Sequence, residues 1–474
     1  MDAATRLTRR HFLAGAAAAA GATLLAACGG AATPAAGGGG GASSAAPSTS
    51  TAPSAAGAST GATPATSGAG APAIANNAKI TLNIAVNAGS PAETTLMQKA
   101  VDLYKESHPN AEINVLGYDP TTYDQKLITD VSGGTLPDIF SVSDVFNKPF
   151  FKAGLIADLK PLAAKTGFNL GDFDPQFLSL ADDGGKIGFL PRAADVVVMY
   201  YNKRMFDESK VAYPTTDWTM QDFMSAAEKL TKKAPDGTVT QYGATNNYTT
   251  WSIWVPMVVA EGGKILSDDG KSAVFDSPEG VRGWNYTFTG VKNGWFTPPS
   301  VQTTMGGANV PFFNSKAAMV FSVRALTPNV RAQLKDDWDV QLVPKGTTAR
   351  KSGMGTTGYG VSAKTKDPAA AWDFMQFLFT KGLDVFMQSY LVVPPIKSFY
   401  DSPAWRNLPP PPANNAIFVS ATQTAMLPPA LPFYSTGPFK KAVTDGLDAV
   451  TLGKMTPEEA VKQMAAQATA SLQS

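Results

Sequence analysis

The sequence predicts an α/β fold made of more than one domain. Strand and helix patterns alternate from residue 80 onward. The 474 residues exceed one ordinary domain and can bury substantial cores. An apolar fraction of 44% against 16% charged residues is that of a soluble globular body.

The alternation begins with Ile80, Leu82, Ile84 and Val86, separated by smaller or polar residues, which reads as a strand. Asn87 to Pro91 make a turn. Leu96, Ala100 and Leu103 or Tyr104 then recur at helical spacing, and His108-Pro109 ends that helix. AEINVLGY (111–118) is a second strand. TTYDQKLITDVSGG (121–134) is a second amphipathic segment, stopping at Gly133-Gly134, and LPDIFSVS (136–143) is a third strand. Such alternation builds a mostly parallel sheet. Ligands bind outside the carboxyl ends of the strands of such sheets, here the loops 87–90, 118–119 and 143–144.

Three later helices have well-marked starts. Thr219 and Asp222 have the spacing of a capping box, with Trp218 and Phe223 placed as a hydrophobic staple. Asp367 caps a helix whose first residue is Pro368 and whose apolar stripe is Ala371, Phe374, Met375 and Leu378. Thr456, Pro457 and Glu459 repeat the arrangement.

The amino-terminal stretch RRHFLAGAAAAAGATLLAACGG (9–30) holds the only cysteine, Cys28. A charged start, an apolar run and then small residues have the layout of a secretory signal. Thr8 to Leu13 resembles a twin-arginine (Tat) export signal, and Leu25 to Cys28 resembles a bacterial lipobox. That resemblance implies a signal peptide over 1–27, cleavage before Cys28 and acylation of its thiol. Residues 28–79 are an uncharged Ala/Gly/Ser/Thr/Pro tract up to Lys79. It cannot bury enough surface to offset its ordering entropy, so it reads as a disordered linker, with an end-to-end distance of roughly 40 Å.

Without the signal the body carries 36 basic and 37 acidic residues. No basic stripe is evident, so no nucleic-acid partner is expected. No apolar run beyond residue 27 approaches the ~20 residues that span a bilayer. One cysteine leaves no disulfide to stabilise the body.

Several segments carry a family resemblance in their order and spacing. They are LPDIF (136–140), FLPRAADVVVMYYNKRMFDESKVAYPTTDWTMQDFMSAAEKLTK (189–232), PFFNSKAAMVFSVRA (311–325), WDVQLVPKG (338–346), TTGYGVSAKTKDPAAAWDFMQFL (356–378) and VVPPIKS (392–398). Over about residues 78–474 the chain resembles a family 1 extracellular solute-binding protein of an ABC importer, a group dominated by sugar and oligosaccharide binders. The resemblance implies a two-lobed, type II periplasmic-binding-protein-like fold with a hinge and an interlobe ligand cleft. Lobe one is expected from 80–188 plus 322–380, and a helix-rich lobe two from 189–321 plus 381–474. The implied protein is a lipid-anchored monomer on the outer face of a bacterial membrane. It would capture a carbohydrate and deliver it to a membrane permease.

A sugar cleft needs carboxylates and guanidinium forks for hydroxyls, and aromatic faces for the ring. Asn87, Ser90, Asp119 and Asp144 stand at strand ends, and Asp195 stands near the expected hinge. For the three aspartates the competing reading is a solvated turn or a helix cap. Trp251 and Trp254 share one helical face as a platform, with core packing the alternative. Arg324 follows a strand-like run where the family often has a ligand contact. Gly355-Thr356-Thr357-Gly358 resembles a glycine-rich cleft loop before a strand, although the two threonines depart from the commoner double glycine.

Catalysis fits poorly. The two histidines are His11, which leaves with the signal, and His108, expected at the surface. No zinc spacing, nucleophile elbow, P-loop or dinucleotide fingerprint is present, so neither metal nor cofactor is expected. The alternatives are a binder of another solute (a polyol, glycerol phosphate, polyamine or ferric ion, with Tyr200-Tyr201 the iron candidates) and a secreted glycoside hydrolase with facing carboxylates.

Overall fold

The computed structural model describes residues 74–87, 91–119, 122–400, 402–427 and 437–473. The expected signal, Cys28, Ser90 and nearly all of the linker lie outside the described residues.

The principal elements, in chain order, are β1 (Ile80–Asn87), α1 (Pro91–Ser107), β2 (Ala111–Tyr118), α2 (Tyr123–Gly133), β3 (Ile139–Ser143) and α3 (Asp144–Lys152). Next come β4 (Leu190–Val196), β5 (Val198–Asn202), α4 (Met220–Leu230), β6 (Val239–Thr245), α5 (Trp251–Ala260) and α6 (Pro278–Lys292). They are followed by β7 (Ala317–Ser322), β8 (Trp338–Gln341), β9 (Ser352–Val361), α7 (Pro368–Phe377) and α8 (Leu383–Gln388). The last are α9 (Ile417–Thr422), α10 (Gly437–Thr451) and α11 (Pro457–Gln473).

Two sheets organise two lobes. In the first, β1 pairs in parallel with β2 and β3, as the strand–helix alternation predicts. β9 then runs antiparallel to β3 on one side and to β4 on the other, and the short strand Ala425–Met426 adds to its start. The second sheet has the order β8-β5-β7-β6 followed by Lys232–Lys233. Within it β7 and β6 are parallel, and β5 is antiparallel to both neighbours.

These memberships put two of the chain's crossings at Val197 and over 342–351, rather than near 188 and 321, and near 380 the chain stays with the first lobe. β4 belongs to the first sheet although it lies beyond 188, and β8 belongs to the second although it lies within 322–380. α8 and α9 pack with the first lobe's core. Buried strands with both faces covered read as continuous apolar runs, and such runs do not say which sheet they join.

β5 shows the double coverage directly. Val198 and Tyr200 face one hydrophobic cluster, and Met199 and Tyr201 face the other. The second lobe's core is stacked aromatics under α5, α6 and α10. The Trp254 ring lies 5.2 Å from Trp284, 5.2 Å from Phe275 and 5.7 Å from Phe439.

The helix starts form as the sequence predicts. Thr219 and Asp222 make a reciprocal capping box, Asp367 accepts from the Ala370 N–H, and Thr456 and Glu459 exchange bonds. Along α1 the buried stripe is Leu96, Ala100 and Tyr104, while Leu103 is exposed.

Two expectations change. His108 is not at the surface: it is buried, stacks on Tyr104 at 4.0 Å and places Nε2 3.3 Å from the Asp373 carboxylate. A helix-end position before proline does not reveal that a later helix, α7, closes over it. The stretch 355–358 is not a loop before a strand, because it lies inside β9. Its glycines serve close approach: a Cβ on Gly358 would sit 2.0 Å from the Leu190 carbonyl oxygen.

Trp254→Ala should lower stability by about 3–5 kcal/mol in urea unfolding, leaving ligand affinity of the folded fraction unchanged. A loss under 1 kcal/mol would contradict its place in the core.

Candidate functional site

A cavity of about 440 Å³ opens at the carboxyl ends of β1 and β3. Its polar wall comes from Asn87, Ser141 and Ser143 of the first sheet, Glu93 of α1, and Arg192, Asp195 and Thr357 of the hinge-side strands. Its apolar wall comes from Tyr123, Phe146 and Phe150, with Val323, Ala325, Leu391 and Val392 across from them. Val323 and Ala325 follow β7, so chain leaving the second sheet lines a cavity in the first lobe. The mixture suits a polar solute with apolar ring faces.

The position of Arg192 follows from an irregularity in β4. Thr357 pairs with Ala193, and the next residue, Gly358, pairs with Pro191, which leaves Arg192 as an unopposed residue in a bulge. A bulge re-aims its side chain. Arg192 thereby reaches the same cavity as Ala193 and Asp195, which strict alternation along a strand would forbid.

Arg192 is 8% exposed, and its guanidinium lies 5.7 Å from the Tyr359 ring and 5.3 Å from the Phe386 ring. Its Nη2 donates to Thr357 Oγ1 at 3.4 Å, while Nε and Nη1 have no hydrogen-bond partner. Two buried donors are therefore left without protein acceptors, an arrangement that costs free energy.

The carboxylates around it are held above their ordinary range. Burial pushes Asp195 up to about 6, against the Arg192 charge and a Thr357 hydroxyl bond that pull it down. Burial pushes Asp144 up to about 7, opposed by the Val145 N–H, with the Asp195 charge adding to the rise. Glu93 is raised by burial and lowered by Arg192.

Several expected residues come together here. Asn87, Asp195 and Thr357 line the cavity, and Asp144 stands beside it at the start of α3, coupled to Asp195. Asp119 is exposed and is not among the lining residues. Thr356 is buried and spends its hydroxyl on the Ala193 carbonyl at 2.7 Å. Trp251 and Trp254 are buried in the second lobe's core, so neither offers a face to this cavity.

Arg324 is fully buried on the other side of the Val323–Ala325 backbone. It donates to Asn415 and lies 4.4 Å from the Trp405 ring and 4.8 Å from the Phe418 ring. Burial lowers it to about 10. Its neighbours in sequence reach the cavity and it does not.

Sequence reasoning missed Glu93, Tyr123, Phe146, Phe150 and Arg192. Only Arg192 left a clear signal, as a charge inside the apolar run 187–201. Among the described residues no group of three His, Cys, Asp or Glu side chains could hold a metal ion, and no helix is long and apolar enough to cross a membrane.

A family model described as bacterial extracellular solute-binding protein matches residues 88–383, more than half of the chain. A binding protein of Brucella abortus (strain 2308) is 25% identical over 358 residues, covering 73% of this chain and 82% of that protein. An ABC substrate-binding protein from Listeria monocytogenes, solved in complex with cycloalternan, superposes with a TM-score of 0.73 at 22% identity, covering 84% of this chain and 100% of that one. The GacH receptor of Streptomyces glaucescens, solved unliganded and with acarbose, gives 0.67 at 18% identity over 82% of this chain and 97% of that one. A maltose-bound protein of T. maritima gives 0.68 at 19% identity over 82% and 99%. At these identities the likeness is one of fold, and it is the two-lobed, type II binding-protein fold that the sequence led us to expect.

Because burial holds the Asp144 pKa above its unfolded value, the empty protein loses stability as pH rises from about 4 through about 7. Asp144→Asn should therefore stabilise the ligand-free protein by about 1–2 kcal/mol at pH 8 and by little at pH 4. Thermal unfolding at the two pH values checks this, and equal effects at both would refute the burial argument.

Proposed function

The chain belongs to the bacterial extracellular solute-binding protein family, and on that premise we propose that it captures a sugar or oligosaccharide between its lobes and delivers it to the permease of an ABC importer. Members of this family are binding proteins that act outside the cytoplasm. The observation that carries the proposal is the cavity itself, in which hydroxyl-binding groups (Asp195, Glu93, Arg192, Thr357) face apolar walls (Phe146, Phe150, Val323). Carboxylates accept from sugar hydroxyls, Arg192 donates to them, and the apolar walls cover the C–H faces. The carbohydrates bound by the similar proteins support the same reading.

The mechanism is capture by closure. In the open form ligand meets the first lobe's carboxylates and Arg192. Rotation about Val197 and 342–351 brings the second lobe over it. The ligand shifts the open–closed balance only by its differential affinity for the closed state. The closed form docks, as a monomer, on a permease that reads both lobe tips. Acylation of Cys28 and the linker after it keep the body tethered to the outer face of the membrane. No catalytic step is part of this reading, and a bound saccharide leaves as it entered.

Thermal-shift screening against mono- and oligosaccharides should find ligands that raise the melting temperature, with about 2.7 kcal/mol of added stability at a hundredfold excess over Kd. X-ray scattering on a hit should show a smaller radius of gyration at saturation, and chromatography should recover the saccharide uncleaved. An unchanged radius at saturation would count against closure, and cleavage would replace the binder with a hydrolase.

A further inference from the structure

The charges around the cavity do not balance. Arg192 is the only cation among the described lining residues, whereas Glu93 and Asp195 both line it and Asp144 stands alongside, close enough to Asp195 to feel its charge. Residues 88–92, between β1 and Glu93, are Ala-Gly-Ser-Pro-Ala and carry no charged side chain. Arg192 is more than nine-tenths buried and has two unpartnered donors. The cavity therefore carries one cation and two carboxyl groups on its wall, with a third carboxyl group beside it. The three carboxyl groups do not converge as metal ligands.

An uncompensated carboxylate in a dry site is costly. It must gain a proton, a counter-charge or several hydrogen bonds. Closure over a ligand removes more water and raises that cost. A neutral saccharide would have to satisfy the carboxylates with hydroxyl hydrogen bonds alone or with proton uptake, whereas a ligand carrying an ammonium group would supply the missing charge. Charge-assisted bonds are also roughly twice as strong as neutral ones.

We propose, on the basis of the saccharide reading above, that the preferred ligand is an amine-bearing saccharide whose ammonium group is received by Asp195 and Asp144 while Arg192 holds its hydroxyls. The other titratable groups at the site are Glu93 and Tyr123 of the cavity wall and Tyr359 beside Arg192 and Glu93, none of which is a cation. Burial raises Asp195 and Asp144 toward neutrality, which agrees with a missing counter-charge.

The test is calorimetric titration of the full-length protein with matched pairs of saccharides, each a neutral sugar and its amino counterpart (glucose and glucosamine, cellobiose and chitosan disaccharide, and the galacto and manno equivalents). The amino member of the best pair should bind roughly tenfold tighter at pH 7, the factor expected when one neutral hydrogen bond becomes charge-assisted. The advantage should shrink at pH 5, where the amine is still charged but the carboxylates take up protons. Asp195→Asn should reduce the amino member's affinity more than the neutral member's. Should that variant fail to fold, the pH series on the unmodified protein decides.

Equal or tighter binding of the neutral member overturns the inference and leaves the saccharide reading in place. An advantage that persists unchanged at pH 5 and in Asp195→Asn overturns the assigned site. Binding of neither member across the panel overturns the saccharide reading, and the inference falls with it.

Discussion

Strand Ser352–Val361 is the constraint on which the rest of the structure depends. It is the one strand of the first sheet with β3 along one edge and β4 along the other. Three of its positions, Gly353, Gly358 and Gly360, exclude any side chain. A Cβ on Gly353 would meet the Ser252 carbonyl oxygen of α5 at 2.3 Å, and one on Gly358 would meet that of Leu190 at 2.0 Å. The first contact lets a helix of the second lobe press onto a strand of the first. The second seats β4 closely enough for the bulge at Arg192 to form. Ser352 also donates its hydroxyl to the Val197 carbonyl, and the Val197 N–H donates to Gly353, so this strand holds the hinge residue from both sides. Binding site and hinge are therefore neighbouring stretches of one strand.

The bulge decides the electrostatics of the site. It moves a guanidinium into a cavity that alternation would have left to Ala193 and Asp195, and there the cation is outnumbered by carboxylates. Its effect on each follows from proximity. It opposes the rise that burial imposes on Asp195 and Glu93, while Asp144 is raised further by the Asp195 charge. On the proposed reading, these are the groups that a ligand would satisfy. Binding sites carry such local costs because the folded scaffold can absorb them.

What the sequence revealed depended on how local the determinant was. The three capped helix starts are set by residues three apart, and each formed as expected. The strands β1, β2 and β3 announce themselves by alternation and by the turns after them. The loops at their carboxyl ends located one edge of the site, through Asn87 on its wall and Asp144 beside it. Determinants that need partners far along the chain were hidden. Trp254 and Trp251 have the spacing of an aromatic platform, but α6 and α10 arrive to bury them. His108 is covered by α7. Arg324 and its neighbours Val323 and Ala325 cannot be told apart in sequence, yet one fills a cage of aromatic rings and the other two line the cavity. The bulge is visible only once Thr357 and Gly358 are paired with β4.

The placement of β5 explains why the hinge, rather than the lobes, must absorb the motion. Its successive side chains enter two different cores, with Tyr200 among Phe312, Trp338 and Phe418 and Tyr201 against Phe206 and Tyr213. Sliding this strand by one residue would exchange the two sets and empty both cores. The second sheet is thus rigid on both faces, and the first sheet is pinned along β9. The chain passes between the sheets at Val197 and over residues 342–351, and the proposed closure turns there rather than within either sheet. Free energy that a ligand supplies by satisfying Arg192 and the carboxylates beside it cannot be spent on repacking either core. In the proposed closure it would go into moving the second lobe, so that local charge compensation becomes movement of a whole lobe.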